Sequence, residues 1–304
     1  MIPASPIARA EPDRLAKHHR IKTNGIEVHV AEAGNGEPIL FVHGFPENWY
    51  SWHNQMAALS PRFRTLAVDL RGYGLSDFPE SGYDAGNAGR DLLGVLDALG
   101  IERVNAVAHD WGALILWRLA FAHPERFKKI AVLNTPHLLA LQWNPIDRPE
   151  SLWKVLVRHP QFIYLSLFMN PRLARRVFES NPERFLKRVY RYSAFERRLP
   201  MSEADLRYLA NLYARPDSWK GPFAYYATLP ESTRQSADDV GKKLTLPVLL
   251  LLGDNDPILR PKLAEPMREM LSNLTIQHIP QAGHWPQIEQ PGEVNKALGR
   301  FFGA

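Results

Sequence analysis

Asp110, Asp256 and His284 each stand just beyond an apolar run that reads as a short buried strand. In chain order they are a carboxylate, a second carboxylate and an imidazole. Asp110 carries the most local information. Residues 104–108 before it form an alternating, β-branched run, and residues 113–120 after it are apolar at helical spacing. A strand that turns straight into a helix crowds its own backbone. The small residues Ala108 and Gly112, two positions to either side of Asp110, relieve that crowding. The apex side chain is then pushed out above the sheet, beside a helix N-terminus. This is a nucleophile elbow, an arrangement that more often carries serine.

A carboxylate at the apex changes the chemistry. Serine must lose a proton to attack, whereas an aspartate is already ionised at neutral pH. Toward esters and amides it is a poor nucleophile, because the mixed anhydride reverts. Toward a strained or activated sp³ carbon it forms an ordinary ester. Asp110 therefore suggests alkyl transfer to the protein, from an epoxide or an alkyl halide. The plainer reading is that Asp110 only caps the following helix. Both readings stand on this stretch alone. His284 follows Gly283 in a short loop before a helix, where an imidazole can reach the elbow. Asp256 can accept its Nδ1 proton and fix its tautomer. Singly, His284 reads as a surface histidine and Asp256 as a turn residue. Together with an elbow they read as nucleophile, acid and base.

The elements needed to place these groups follow in order. Residues 21–33 read as a hairpin turning at Asn24 and Gly25. Residues 38–42 and 64–69 read as strands, and residues 49–59 and 83–99 as helices. After the elbow, residues 130–133 are a strand that ends at Asn134. Residues 246–252 and 274–279 are further strands, and residues 261–270 and 291–302 further helices. This alternation predicts an α/β fold with a doubly wound, mostly parallel sheet. Groups in loops beyond the carboxyl ends of such strands converge on one site. From 137 to 236 the alternation stops, leaving helical signals, aromatics and repeated prolines. That stretch reads as an inserted all-helical cap. The expected division is core 1–136, cap 137–236 and core 237–304.

A chain of 304 residues with 45% hydrophobic content fits one large α/β domain carrying an insertion. It has no cysteine, which excludes disulfides and thiolate metal sites. The net charge is +5, but Lys and Arg are interleaved with Asp and Glu, so no nucleic-acid stripe is expected. Residues 172–198 are locally rich in Arg and Lys and read as a solvated helix face. Runs long enough to span a membrane are absent, and residues 1–19 lack the apolar core of a secretory leader. A cytoplasmic protein without membrane contact is expected.

Several stretches in combination resemble the α/β-hydrolases, and among them the epoxide hydrolases, from about residue 21 onward. They are His43-Gly44-Phe45-Pro46-Glu47, Asp69-Leu70-Arg71-Gly72-Tyr73-Gly74-Leu75-Ser76-Asp77, His109-Asp110-Trp111-Gly112, Gly221-Pro222-Phe223-Ala224-Tyr225-Tyr226 and Gly283-His284-Trp285. The resemblance implies an α/β-hydrolase fold and conversion of a small apolar epoxide and water to a vicinal diol. It implies neither cofactor nor metal, and a monomer or homodimer. Backbone N–H groups of Phe45 and Trp111 would form an oxyanion hole. Two cap tyrosines would hydrogen-bond the epoxide oxygen. Tyr226 matches one. Tyr164 is assigned as the other, although a tighter register before Asn170-Pro171 puts Leu167 there. Tyr225 is expected to pack, and His43 and His109 to be structural.

Haloalkane and haloacetate dehalogenases share the elbow and the His-Gly-x-Pro loop. Fluoroacetate dehalogenases carry arginines just after the nucleophile, where this chain has Trp111 and Leu114. Haloalkane dehalogenases commonly carry a halide-binding Asn where this chain has Phe45. Some relatives take their acid from the strand end at 134, which here is Asn134, so Asp256 is the expected acid. An Asn134→Asp change is expected to rescue loss of Asp256 in part. A dehalogenase, and a hydrolase-fold binding protein without turnover, remain as alternatives.

Overall fold

The computed structural model describes residues 16–141, 167–170, 174, 176, 178 and 181–303. Tyr164, residues 1–15 and much of the first half of the expected cap lie outside the described residues. The chain enters its sheet as a hairpin. Strands β1 (Lys17–Thr23) and β2 (Ile26–Ala33) pair antiparallel across Asn24 and Gly25, whose φ angles are 46° and 80°. Two consecutive positive φ values give the tight turn that matches strand twist, and Asn-Gly tolerates them. The remaining strands are β3 (Glu37–Val42), β4 (Phe63–Val68), β5 (Val104–His109), β6 (Phe127–Leu133), β7 (Val248–Gly253) and β8 (Leu274–Ile279). Their order in the sheet is β1-β2-β4-β3-β5-β6-β7-β8. Only β1–β2 and β2–β4 are antiparallel; the rest pair in parallel.

The inner strands are apolar on both faces, as a parallel sheet covered on both sides requires. Along β5, Val104, Ala106 and Ala108 join one core, while Val107 joins the other. β6 splits the same way, with Ile130 and Val132 against Ala131 and Leu133. That two-residue period assigns each side chain to a layer. One layer contains α1 (His53–Leu59) beneath Trp49 and Trp52. The other contains α2 (Ala85–Ala98) and α3 (Trp111–Ala122).

Between β6 and β7 the described residues form helices and one isolated bridge at Leu244. They are α4 (Pro182–Ser193), α5 (Glu203–Tyr213), α6 (Lys220–Ala227) and α7 (Leu229–Ser236). Local sequence explains their starts. Asn181 caps α4 by accepting the Arg184 N–H at 2.8 Å, with Pro182 in its first turn. Ser202 and Asp205 form a capping box at α5. After β7 come α8 (Met267–Met270), α9 (Pro286–Glu289) and α10 (Pro291–Phe302), the last packing in the α1 layer.

Two helices differ from expectation. Residues 49–59 divide into a 3-10 turn, Trp49–Trp52, and α1. Residues 261–270 divide into a 3-10 turn, Pro261–Ala264, and the single turn of α8. Pro266 lies between the last two and has no N–H to give the carbonyl four residues back.

Candidate active site

The site lies where β3, β5, β7 and β8 release their carboxyl ends. Asp110 sits between β5 and α3 with φ 50° and ψ −125°. A non-glycine residue there is strained and is held only by its surroundings. The Asp110 N–H donates to Thr135 Oγ1 at 3.0 Å. Beside it, a Cβ on Gly112 would lie 2.4 Å from the Val42 and His43 carbonyl oxygens. On the other side, a Cβ on Gly44 would come within 2.4 Å of Asp110 Oδ1 and 2.6 Å of the Trp111 nitrogen. Both glycines are therefore required by close approach. The capping reading of Asp110 fails on geometry: its side chain accepts no N–H of the helix it precedes. Instead Oδ1 accepts the Phe45 N–H at 2.6 Å, and Oδ2 lies 3.8 Å from His284 Nε2.

His284 is 3% exposed, and its Nδ1 donates to Asp256 Oδ2 at 2.8 Å. The other Asp256 oxygen accepts the N–H groups of Ile258 and Leu259 at 2.7 and 3.0 Å. Those bonds leave Asp256 one orientation. Burial alone would lower the His284 pKa, but the charge of Asp256, hydrogen bonding and the charge of Asp110 outweigh it. Its pKa rises from 6.5 to about 10. Burial likewise would raise the Asp110 pKa, but His284, His109 and the Phe45 N–H hold it below its ordinary value. At neutral pH the resting site is an imidazolium between two carboxylates.

Asn134 is not a spare acid site. Its Oδ1 accepts the Gly253 N–H at 2.7 Å and its Nδ2 donates to the Gly283 carbonyl at 3.0 Å. It ties together the two loops that carry Asp256 and His284. An aspartate there would set a carboxylate oxygen against the Gly283 carbonyl, so the expected rescue by Asn134→Asp is withdrawn.

Two glutamates, Glu47 buried and Glu289 half-buried, have no role in the sequence reading. Glu289 Oε1 accepts the N–H groups of Gly283 and Trp285 at 3.0 and 2.9 Å, and Oε2 accepts that of Phe195 at 2.7 Å. It fixes the loop around His284. Glu47 Oε2 pairs with His109 Nδ1 at 2.9 Å, and Glu47 Oε1 accepts from Gln287 Nε2 at 2.8 Å. The His109 ring lies 4.9 Å from that of His284. Nothing in periodicity marks either glutamate, because both work through tertiary contacts. His43 accepts the Leu70 N–H at Nε2 and donates from Nδ1 to the Gly44 carbonyl, and burial lowers its pKa. It is a neutral brace for the His-Gly loop.

Above Asp110 a cavity of about 860 Å³ opens beneath the helices between β6 and β7. Its floor holds Asp110 and His284, and its walls include Phe45, Phe168, Phe185 and Tyr226. Tyr226 is 4% exposed, with its ring 5.2 Å from Phe45 and 5.3 Å from Trp111. Tyr225 is turned away, and its hydroxyl donates to the Arg71 carbonyl at 3.3 Å. Residues 172–198 are not merely a solvated face: Arg184 and Arg188 are exposed but also line this cavity. Among the described residues, no group of three or more His, Cys, Asp or Glu side chains could hold a metal ion.

A family model of the alpha/beta hydrolase fold matches residues 37–291. Epoxide hydrolase A of Mycobacterium tuberculosis is 33% identical, over 93% of this chain and 96% of its own. The chain belongs to the epoxide hydrolase family of α/β-hydrolases. Bifunctional epoxide hydrolase 2 of Sus scrofa is 29% identical over 97% of this chain, and this epoxide hydrolase relative is covered over 57% of its length. The chain thus spans about half the length of that two-function protein. In three dimensions, an epoxide hydrolase of Vigna radiata superposes with a TM-score of 0.83 at 28% identity, over 95% of this chain and 99% of its own. Among the described residues, no helix is long and apolar enough to cross a membrane.

Proposed function

We propose that this family member opens epoxides to vicinal diols through an ester on Asp110. One observation carries the reading: a single aspartate has Oδ1 on the Phe45 N–H and Oδ2 beside His284, under Tyr226 in an apolar cavity. With Oδ1 engaged, Oδ2 is the oxygen free to attack a ring carbon. The C–O bond breaks and the ring oxygen takes the Tyr226 hydroxyl proton. Tyr164 is proposed as a second donor. The product is a hydroxyalkyl ester whose carbonyl oxygen remains on Phe45, with the Trp111 N–H as its proposed second donor.

Ester formation removes the Asp110 charge. That charge is one of the supports of the high His284 pKa, so the imidazolium becomes more acidic. Its proton restores the tyrosine. Neutral His284, oriented by Asp256, then takes a proton from water, and hydroxide adds to the ester carbonyl. Collapse of the adduct frees the diol and returns Asp110 to a carboxylate beside a protonated His284. The balance is epoxide plus water to diol. We further propose a core at 1–136 and 237–304, a cap at 137–236, and a cytoplasmic monomer or homodimer. Zero cysteines fit that setting.

Tyr226→Phe tests the reading. A departing alkoxide needs a proton, whereas a departing halide does not. The variant keeps the ring and its packing, and single-turnover alkylation by styrene oxide should slow roughly 10- to 10³-fold. An unchanged rate, or faster halide release from 1-chlorobutane by the wild type than opening of any epoxide, would point to the dehalogenase alternative.

A further inference from the structure

The last turn of α4 is fastened to the loop that carries His284. Ser193, its final residue, accepts the His284 N–H at its carbonyl oxygen, 2.8 Å away. The chain passes through Ala194 into a 3-10 turn, Phe195–Arg197, and the Phe195 N–H donates to Glu289 Oε2 at 2.7 Å. Glu289 Oε1 accepts the N–H groups of Gly283 and Trp285 at 3.0 and 2.9 Å. Every N–H from 283 to 285 is therefore engaged, two by one carboxylate and one by the end of α4. The backbones also touch: a Cβ on Gly283 would lie 2.4 Å from the Ser193 carbonyl oxygen and 2.7 Å from the Phe195 nitrogen. Just beyond, Glu196 and Arg197 hold φ angles of 50° and 54°. Residues with side chains adopt such angles in succession only where their surroundings impose them. At the other side of the helix, Phe185 and Val189 form cavity wall, and the Tyr190 ring lies 4.7 Å from that of Trp285. The wall of the cavity and the loop of the base are thus joined through α4.

We propose that Glu289 is a positioning residue that clamps the turn after α4 onto the His284 loop, so that the cavity wall sets the aim of the base in ester hydrolysis. This rests on the epoxide hydrolase reading and deepens its second half-reaction. The clamp needs a carboxylate. N–H donors converge on residue 289 from two sides, Phe195 on one and Gly283 with Trp285 on the other. An ionised carboxylate accepts on both oxygens, whereas an amide offers one oxygen and turns its NH₂ toward the remaining donors. Asp256 fixes the ring of His284 through Nδ1, but where the ring stands over Asp110 depends on the backbone of 283–285. A displacement of about 1 Å in a reacting group is enough to slow a step by about 10²-fold. Alkylation by Asp110 does not use the imidazole as a base, so the displacement falls on hydrolysis.

Glu289→Gln keeps the size of the side chain and removes one acceptor. With styrene oxide, quenched-flow mass spectrometry should show the ester forming at the wild-type rate and decaying roughly 10- to 100-fold more slowly. In the steady state kcat and KM should fall together, while kcat/KM, which reports the steps up to alkylation, holds. A merely structural role would lower the melting temperature and the active fraction without that split. Where Glu289→Gln fails to fold, a second pair of variants decides. Phe195→Pro deletes only the N–H that the turn after α4 gives to the clamp. Proline suits the first position of such a turn, and Ala194 before it is extended, as proline requires. Phe195→Ala loses the same ring and keeps the N–H. The first should slow ester decay and the second should not. Equal slowing of formation and decay in Glu289→Gln, decay there at the wild-type rate, or equal decay in the two Phe195 variants overturns the proposal. Should wild type form no ester with any epoxide, the epoxide reading itself fails. The clamp is then judged by amide hydrogen exchange in the peptide that contains His284. Faster exchange in Phe195→Pro than in Phe195→Ala supports it, and equal exchange overturns it.

Discussion

Each reacting group is fixed by backbone rather than by its neighbours alone. Asp110 is held at φ 50° by Thr135 and by glycines on both sides. Asp256 is held by two N–H groups, and the His284 loop by Glu289. Such preorganisation leaves little to rearrange during the reaction. The coupling of charge between Asp110 and His284 can be measured directly. With a pKa of about 10, His284 remains protonated at neutral pH. Asp110→Asn removes one negative charge, which should move its titration to lower pH in histidine ¹⁵N NMR, in the direction proposed for the ester. A titration unchanged by the substitution would contradict the proposed switch. At Asp256, replacement by Asn should slow hydrolysis roughly 10²- to 10⁴-fold, as for other orienting carboxylates. Adding Asn134→Asp should restore nothing and should lower the melting temperature, because it sets oxygen against the Gly283 carbonyl. Recovery of steady-state diol formation in the double variant would show that residue 134 can reach His284 after all.

At the scale of elements, the position of Tyr226 depends on how α6 rests on the loop after β4. A Cβ on Gly221 would lie 2.2 Å from the Gly72 carbonyl oxygen, and one on Gly72 would lie 2.5 Å from the Gly221 Cα. The two backbones touch, and the Tyr225 hydroxyl bonds the Arg71 carbonyl beside them. Gly221→Ala should lift the start of α6, destabilise the fold by about 1–3 kcal/mol as overpacking does, and displace Tyr226. Single-turnover kinetics should then show alkylation slowed more than ester hydrolysis. Equal slowing of both steps would mean that α6 does not set the donor. Sequence patterning found these elements where a local rule applied. Alternation located the strands, Asn24-Gly25 the hairpin, and small residues around Asp110 the elbow. It overran at Pro266, where a missing donor outweighed apolar spacing. It missed Glu47 and Glu289, whose partners are distant in the chain or are backbone N–H groups. It also read Arg184 and Arg188 as solvated, since periodicity tells which face is polar but not what that face borders.

At the scale of the whole molecule, the sheet brings loops from residues 43–47, 109–111, 253–257 and 283–285 to one rim, and helices between β6 and β7 roof it. The order nucleophile, acid, base along the chain becomes a contiguous row only through the parallel order β3-β5-β6-β7-β8. Through this assembled site the proposed reaction passes by way of a covalent ester on Asp110. His284→Gln should block the hydrolytic half and leave the alkylating half able to run. After mixing with styrene oxide, the intact-protein mass should rise by one substrate mass, with the label in the peptide that contains Asp110. An unmodified protein, or a label on any other peptide, would contradict the account.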